Sequence, residues 1–394
     1  TFQLLSRIHR YTFRELRLQI RKIVSTKSTK KDLKELESQI KNKYRKLNFP
    51  YDKCHCSDAD DKEGHANEGW LEEIQSRNFP FTLRYPKIKK DNILPAIKIG
   101  KKRKNEFKIA VANARINESN LKKVLTGKPD RSFERYNKLA NIINQAVKSK
   151  ADILILPEAY VPFEWIPSLA IISAKNQMAI VSGVEHILHE NKVYNLTAVI
   201  LPYEKKDEYR FVHIDFHEKI YFAPGEAKQI CGYNAEPECG ESNKIYVWND
   251  LWFSAYCCYE IASVFDRSLF RSYIDLAIIV EWNKDVNYFS NIVESLSRDL
   301  HCYCAQVNIA NYGDSRIVQP TATVEKDVLR TKGGINDTIL VGKINIKKLR
   351  EFQLKSHILQ QDDDTFKITP PGFDDDKNIV RDKISGSLWK KNQK

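Results

Sequence analysis

The chain has 394 residues, of which 42% are hydrophobic and 11% aromatic, and a net charge of +13. That length accommodates one large α/β domain with an appendage, or two ordinary domains. No run of about 18 or more apolar residues spans a bilayer and no charged-then-apolar leader opens the chain, so no membrane partner and a soluble, cytoplasmic protein are expected. The first residue is Thr1 rather than Met, which points to a piece or processed product of something longer. The charge is uneven: residues 1–106 hold 26 Lys and Arg against 14 Asp and Glu, which leaves +1 for the remainder. Such a basic front suits DNA or RNA, and equally a solvated face against another subunit or an upstream domain. Eight cysteines, with one CC and two C-x-C pairs, read as reduced thiols rather than a disulfide framework.

Phe13, Leu16, Ile20 and Ile23, then Leu33, Leu36, Ile40, Tyr44 and Leu47, recur at helical spacing around the turn-like STKST, so residues 1–50 read as a basic helical hairpin. Cys54-His55-Cys56 with His65 matches no usual zinc spacing, and no metal is expected. Residues 87–106 read as a basic linker, closing a region (51–106) of linker or small-subdomain character.

From residue 107 the pattern alternates. FKIAV (107–111) is a strand, Phe133 to Val147 mark an amphipathic helix, and ADILILPE (151–158) is an apolar strand closed by Glu158. AIVSG (179–183), VYNLTAVIL (193–201), LWFSAYC (251–257), DLAIIV (275–280) and CYCAQVNIAN (302–311) are further strands. Strands apolar throughout imply sheets covered on both faces, so the fold class is α/β. After two strands around KGGIND, residues 351–394 read as a charged, solvated C-terminal extension.

Three groups close or follow strands: Glu158, Lys219 in HIDFHEKIYFAPGE, and the Cys257-Cys258 pair, of which only one thiol can face a cleft if the strand stays extended. A free thiol ionises near pH 8.5, so a thiol nucleophile needs a base or a nearby cation. Glu158 supplies the first and Lys219 the second, with Lys219 also placed to stabilise charge formed on a carbonyl oxygen or nitrile nitrogen.

LPE (156–158), K-x-x-x-x-P-G-E (Lys219 to Glu226) and C-Y-E (Cys258 to Glu260), in this order, resemble the three signatures of the nitrilase, or carbon-nitrogen hydrolase, superfamily. The resemblance covers about residues 107–350 and implies an α-β-β-α sandwich. It implies Cys258 as nucleophile, because the thiol directly before the aromatic-acidic pair is selected, with Glu158 as base, Lys219 as stabiliser of the tetrahedral intermediate and Glu226 as the orienting second glutamate. Tyr259, Glu281, Trp282 and Asn283 match positions beside the substrate. It further implies an acyl-enzyme, a small amide or nitrile substrate, no cofactor, and a homo-oligomer. The basic hairpin before such a domain also resembles the C-terminal part of bacterial defence-associated reverse transcriptases. In that alternative the domain is an oligomerisation or effector module whose site is retained but silent.

Overall fold

The computed structural model describes residues 83–84, 96–100, 102–204, 209–241 and 243–387. The hairpin expected over residues 1–50 and the group Cys54, Cys56 and His65 lie outside these. In chain order the strands are β1 (Leu83–Arg84), β2 (Ala96–Ile99), β3 (Glu106–Asn113), β4 (Ile153–Val161), β5 (Ala179–Val184), β6 (Ile187–His189), β7 (Lys192–Tyr194), β8 (Leu196–Glu204) and β9 (Arg210–Glu218). β10 (Glu236–Glu238), β11 (Ile245–Trp248), β12 (Leu251–Cys257), β13 (Leu276–Glu281), β14 (Tyr303–Asn308), β15 (Ser315–Val318), β16 (Asp327–Thr331) and β17 (Thr338–Asn345) follow. The helices are α1 (Asn120–Leu125), α2 (Phe133–Lys148), α3 (Ile166–Asn176), α4 (Pro224–Cys231), α5 (Val264–Ser268), α6 (Val286–Leu300), α7 (Ile346–Leu354), α8 (His357–Gln361) and α9 (Lys377–Ser385).

Two large sheets result. One has eight strands in the order β1-β2-β11-β12-β13-β14-β15-β16, the other six in the order β17-β3-β4-β5-β8-β9. Strand alternation divides each strand between two cores. Ala110, Ala112, Leu154, Leu156, Ile180 and Ile200 pack with Leu139, Ile143 and Leu169 of α2 and α3. Trp252, Tyr256, Ala277, Ile279 and Cys304 pack with Phe289, Val293, Leu296 and Leu300 of α6. The intervening residues of each strand are left to the space between the sheets, which Phe107 and Trp248 span at 6.0 Å between ring centroids. Trp248 Nε1–H also donates across to Pro202 O at 2.7 Å. This is the expected α-β-β-α sandwich.

Two boundary expectations change. Within the supposed linker, Ala96–Ile99 is a buried strand paired in parallel with β11. Its AIKI sequence hides among lysines whose charges are used internally, Lys102 on Glu204 and Lys104 on Asp152. The supposed solvated tail also folds back, through residue 387. His301 stacks on Phe352 at 5.7 Å and meets Phe366 and Phe373, and its Nε2–H donates to Lys367 O at 2.7 Å. Burial pushes the His301 pKa down to about 4, so the ring in this aromatic cluster is neutral at physiological pH. Lys383 of α9 and Arg350 of α7 both reach the fully buried Asp275. Among the described residues no helix is long and apolar enough to cross a membrane.

Candidate active site

The site assembles where strands of both sheets end. β4 breaks its register between Leu156 and Val161, and Ala159 takes a positive φ of 53°, so Glu158 is turned out of the ladder by a bulge. The neighbouring strand must make room for it. A Cβ on Gly183 of β5 would lie 2.3 Å from the Glu158 Cα, so only glycine permits this approach.

Lys219 follows β9 and is 1% exposed. Its Nζ donates to Glu158 Oε1 at 2.7 Å and to Glu226 Oε2 at 2.6 Å. Glu226 sits in the first turn of α4, where the helix N-terminus favours a carboxylate. Burial opposes the ammonium, but Glu158 and Glu226 outweigh it and hold the Lys219 pKa well above the ordinary lysine range. Burial likewise opposes the Glu226 carboxylate, and Lys219 with His186 overcomes it, driving its pKa far below the usual carboxylate range. The ammonium therefore stays charged between two carboxylates.

Two residues that sequence reasoning passed over complete this cluster. Asn195 Nδ2 donates to Glu158 Oε1 and to Glu226 Oε1, each at 2.8 Å, and His186 Nε2 lies 2.8 Å from Glu226 Oε1. The signal for Asn195 was a lone amide inside the apolar run VYNLTAVIL; His186 in GVEHIL carried none. Trp282 N–H donates to the other carboxylate oxygen, Glu158 Oε2, at 2.8 Å.

β12 ends at Cys257, and Cys258 takes a positive φ of 50° as the chain turns into the 3-10 segment Cys258–Ala262. Glu260 clamps the turn. It accepts from Cys257 N–H at 2.5 Å, His217 Nε2–H at 2.8 Å and Ile220 N–H at 2.6 Å, tying the thiol turn to the Lys219 strand. This third residue of C-Y-E therefore has a structural task of its own.

The two thiols part at that turn. Cys257 is fully buried, with Sγ 3.4 Å from Glu158 Oε1 and 3.5 Å from Asn195 Oδ1. Cys258 opens on a cavity of about 290 Å³. Its other walls are Glu158, His186, Glu226 and Trp282, then Leu121, Ala223, Gly225 and Gln229, with Glu118, Lys284 and Tyr312 completing the lining. Burial first, and Glu158 next, push the Cys258 thiol well above its ordinary pKa, while Lys219 and the Trp282 N–H pull the other way. The resting group is a thiol, and a thiol in this setting acts as a nucleophile only with a base to take its proton.

The structure thus brings Glu158, Lys219, Glu226 and Cys258 together. Of the four residues expected beside the substrate, Trp282 lines the cavity and the others do not. Tyr259 packs against the core under α6. Glu281 follows the alternation of Ala277 and Ile279 into that same layer and receives a hydrogen bond from Gln306 Nε2 at 2.9 Å. Asn283 shapes the turn into α6, accepting from Asp285 N–H at 2.9 Å. Among the described residues no group of three or more His, Cys, Asp and Glu is arranged to hold a metal ion.

No curated protein matches the chain by sequence. Among solved structures it is similar to an amidase from Nesterenkonia sp. at 13% identity, with 65% of this chain and 95% of that one covered and a TM-score of 0.45. It is similar to Nit3 of Saccharomyces cerevisiae, a member of branch 10 of the nitrilase superfamily, at 16% identity over 64% of this chain and 94% of that one, with a TM-score of 0.47. A CN-hydrolase superfamily protein of Xanthomonas campestris is 14% identical over 67% of this chain and 99% of that one, with a TM-score of 0.46. The family model described as carbon-nitrogen hydrolase matches residues 108–353, well over half of the sequence and the whole span from β3 to α7 apart from its ends. The chain belongs to the carbon-nitrogen hydrolase family, hydrolases of non-peptide carbon–nitrogen bonds.

Proposed function

We propose that the chain is a thiol-dependent hydrolase of small amides or nitriles in which Cys258 is the nucleophile, Glu158 the general base and acid, and Lys219 the cation that stabilises the tetrahedral intermediate. Cys258 Sγ attacks the carbonyl carbon of an amide as Glu158 takes the thiol proton. Lys219, with a backbone N–H, offsets the charge that forms on oxygen. Glu158 returns the proton to the departing nitrogen, the C–N bond breaks, and a thioester remains. Water then attacks the thioester, with Glu158 again accepting the proton, and releases the acid and the thiol. Glu226 is the second carboxylate that accepts from the ammonium and holds it in place.

The observation that carries this reading is that, of two adjacent thiols, Cys258 is the one on the cavity wall, and it shares that wall with Glu158 and Glu226. Cys257 Sγ also lies near Glu158, 3.4 Å from Oε1, and alkylation tells the two thiols apart. Limited iodoacetamide treatment followed by peptide mass mapping should label Cys258 ahead of Cys257. Equal labelling, or labelling of Cys257 first, overturns the assignment.

The front of the chain supports a second, separate role. Residues 1–81 hold 17 Lys and Arg against 12 Asp and Glu, and we propose that they bind nucleic acid through phosphate contacts. Retention of DNA or RNA should weaken steeply with salt and disappear on removal of residues 1–81. Binding that survives the deletion counts against it.

A further inference from the structure

The end of β13 brings a second carboxyl beside the Cys258 turn: Cys257 pairs with Val280, so Cys258 and Glu281 are the next residues on two neighbouring parallel strands. Glu281 is fully buried. Strand alternation turns it to the face of Ala277 and Ile279, which pack in one cluster with Tyr256 and Cys258. Among the described residues its one hydrogen bond comes from an amide, Gln306 Nε2, at 2.9 Å to Oε2. That amide cannot be flipped, because Arg316 Nε donates to Gln306 Oε1 at 3.0 Å. Arg316 also donates to Glu294 Oε1 at 3.0 Å and to Ser290 O at 2.5 Å. The second oxygen, Glu281 Oε1, has no hydrogen-bond partner among the described residues.

The groups that act on Glu281 electrostatically are Glu158 from β4, Asp314 from the turn before β15 and Arg316 from β15, and Glu281 itself acts on the Cys258 thiol. An ionised carboxylate with one neutral donor, no direct cation among the described residues and Glu158 acting on it is costly in a buried layer, which favours the protonated form. Burial, with Glu158 adding to it against the Gln306 hydrogen bond, pushes its pKa up to about 8.

We infer that Glu281 is a positioning residue for the Cys258 site: its neutral acid form leaves the thiol free to give up its proton, and its ionisation adds a negative charge that suppresses the thiolate. The inference rests on Cys258 as the nucleophile. The sign is fixed by the like charge: a carboxylate beside a thiol disfavours the second anion.

The test is the pH profile of Cys258 alkylation by iodoacetamide, read residue by residue by mass spectrometry, in the full chain and in Glu281→Gln, which keeps the shape and the hydrogen-bond acceptor. At about pH 6 both forms carry a neutral group at 281 and should react at equal rates. At about pH 9 the variant should react roughly tenfold faster, the effect of a like charge that moves the thiol pKa by about one. The parent profile should also break near pH 8, the pKa of Glu281, where the variant follows a single titration. Identical profiles overturn the inference, as does a rate ratio constant with pH, which a merely structural role would give. Should the variant lose its cooperative thermal transition, the parent profile alone decides, and a single titration there overturns it. Labelling of Cys257 as fast as Cys258 in the same digest defeats the nucleophile assignment and this inference with it, an outcome distinct from Cys258-selective labelling without the pH effect.

Discussion

Cys258→Ala should reduce ammonia release from small primary amides and nitriles by at least about 10⁴-fold, the scale of losing a covalent nucleophile that acts as a unit with its base. The rest of the site remains assembled in this variant, because Glu158, Lys219, Glu226 and Asn195 hold one another without the thiol. Substrate binding should therefore persist while turnover is lost, and kcat should fall far more than KM changes. Cys257→Ala is the informative partner. It removes a fully buried sulfur and its 3.4 Å contact with Glu158, so it should lower stability modestly and leave activity within a few-fold. A coupled ammonia assay across a panel of amides and nitriles reads both variants. Full activity in Cys258→Ala, or loss confined to Cys257→Ala, would move the nucleophile to the inner thiol.

Asp275→Asn should lower the unfolding free energy by roughly 3–5 kcal/mol, the usual consequence of breaking a buried ion cluster from one side. Asp275 precedes β13 and is fully buried. Its oxygens accept from Arg350 Nε at 3.0 Å, Arg350 Nη2 at 2.6 Å, Lys383 Nζ at 2.9 Å and the Trp252 N–H at 3.0 Å. Arg350 retains Asp250 when the carboxylate is lost, but Lys383, itself fully buried, is left without its anion. Burial already holds the Lys383 pKa below the ordinary lysine range, with Asp275 opposing and Arg350 reinforcing that shift. For Asp275, burial is outweighed by Arg350 and Lys383, so its pKa in the folded chain lies below that in the unfolded chain. Its contribution is accordingly present above about pH 4 and is lost as the pH falls through the lower, folded value. Urea titrations across acid pH should show parent and variant converging as the pH drops. A parallel offset at every pH would refute this account.

The fold was readable because its core strands are apolar on both faces. ADILILP, LWFSAYC and DLAIIV carry the pattern of covered sheets, and each is a fully buried strand in the structure. β2 escaped notice because AIKI lies in a stretch, residues 87–106, whose eight Lys and Arg mask any local signal; its partner, β11, is about 150 residues away. The C-terminal helices escaped because Lys383 and Arg350 look solvated until Asp275 is placed between them. Within the site, ordered motifs picked out Glu158, Lys219, Glu226 and Cys258, which the fold brings together, while Asn195, His186 and Glu260 join them by hydrogen bonds that no motif signals. Glu281 was placed at the right strand end but on the wrong side, and strand parity decides that side.

The position of β2 has a practical consequence for anyone dissecting the chain. A fragment starting at the family-matching span, near residue 108, would lose β2 and uncover the backbone of β11, whose sequence IYVW is buried throughout. An open, apolar edge of that kind is a template for pairing with a second copy. Such a fragment would self-associate for reasons unrelated to any native assembly, so a sound truncation begins before Leu83.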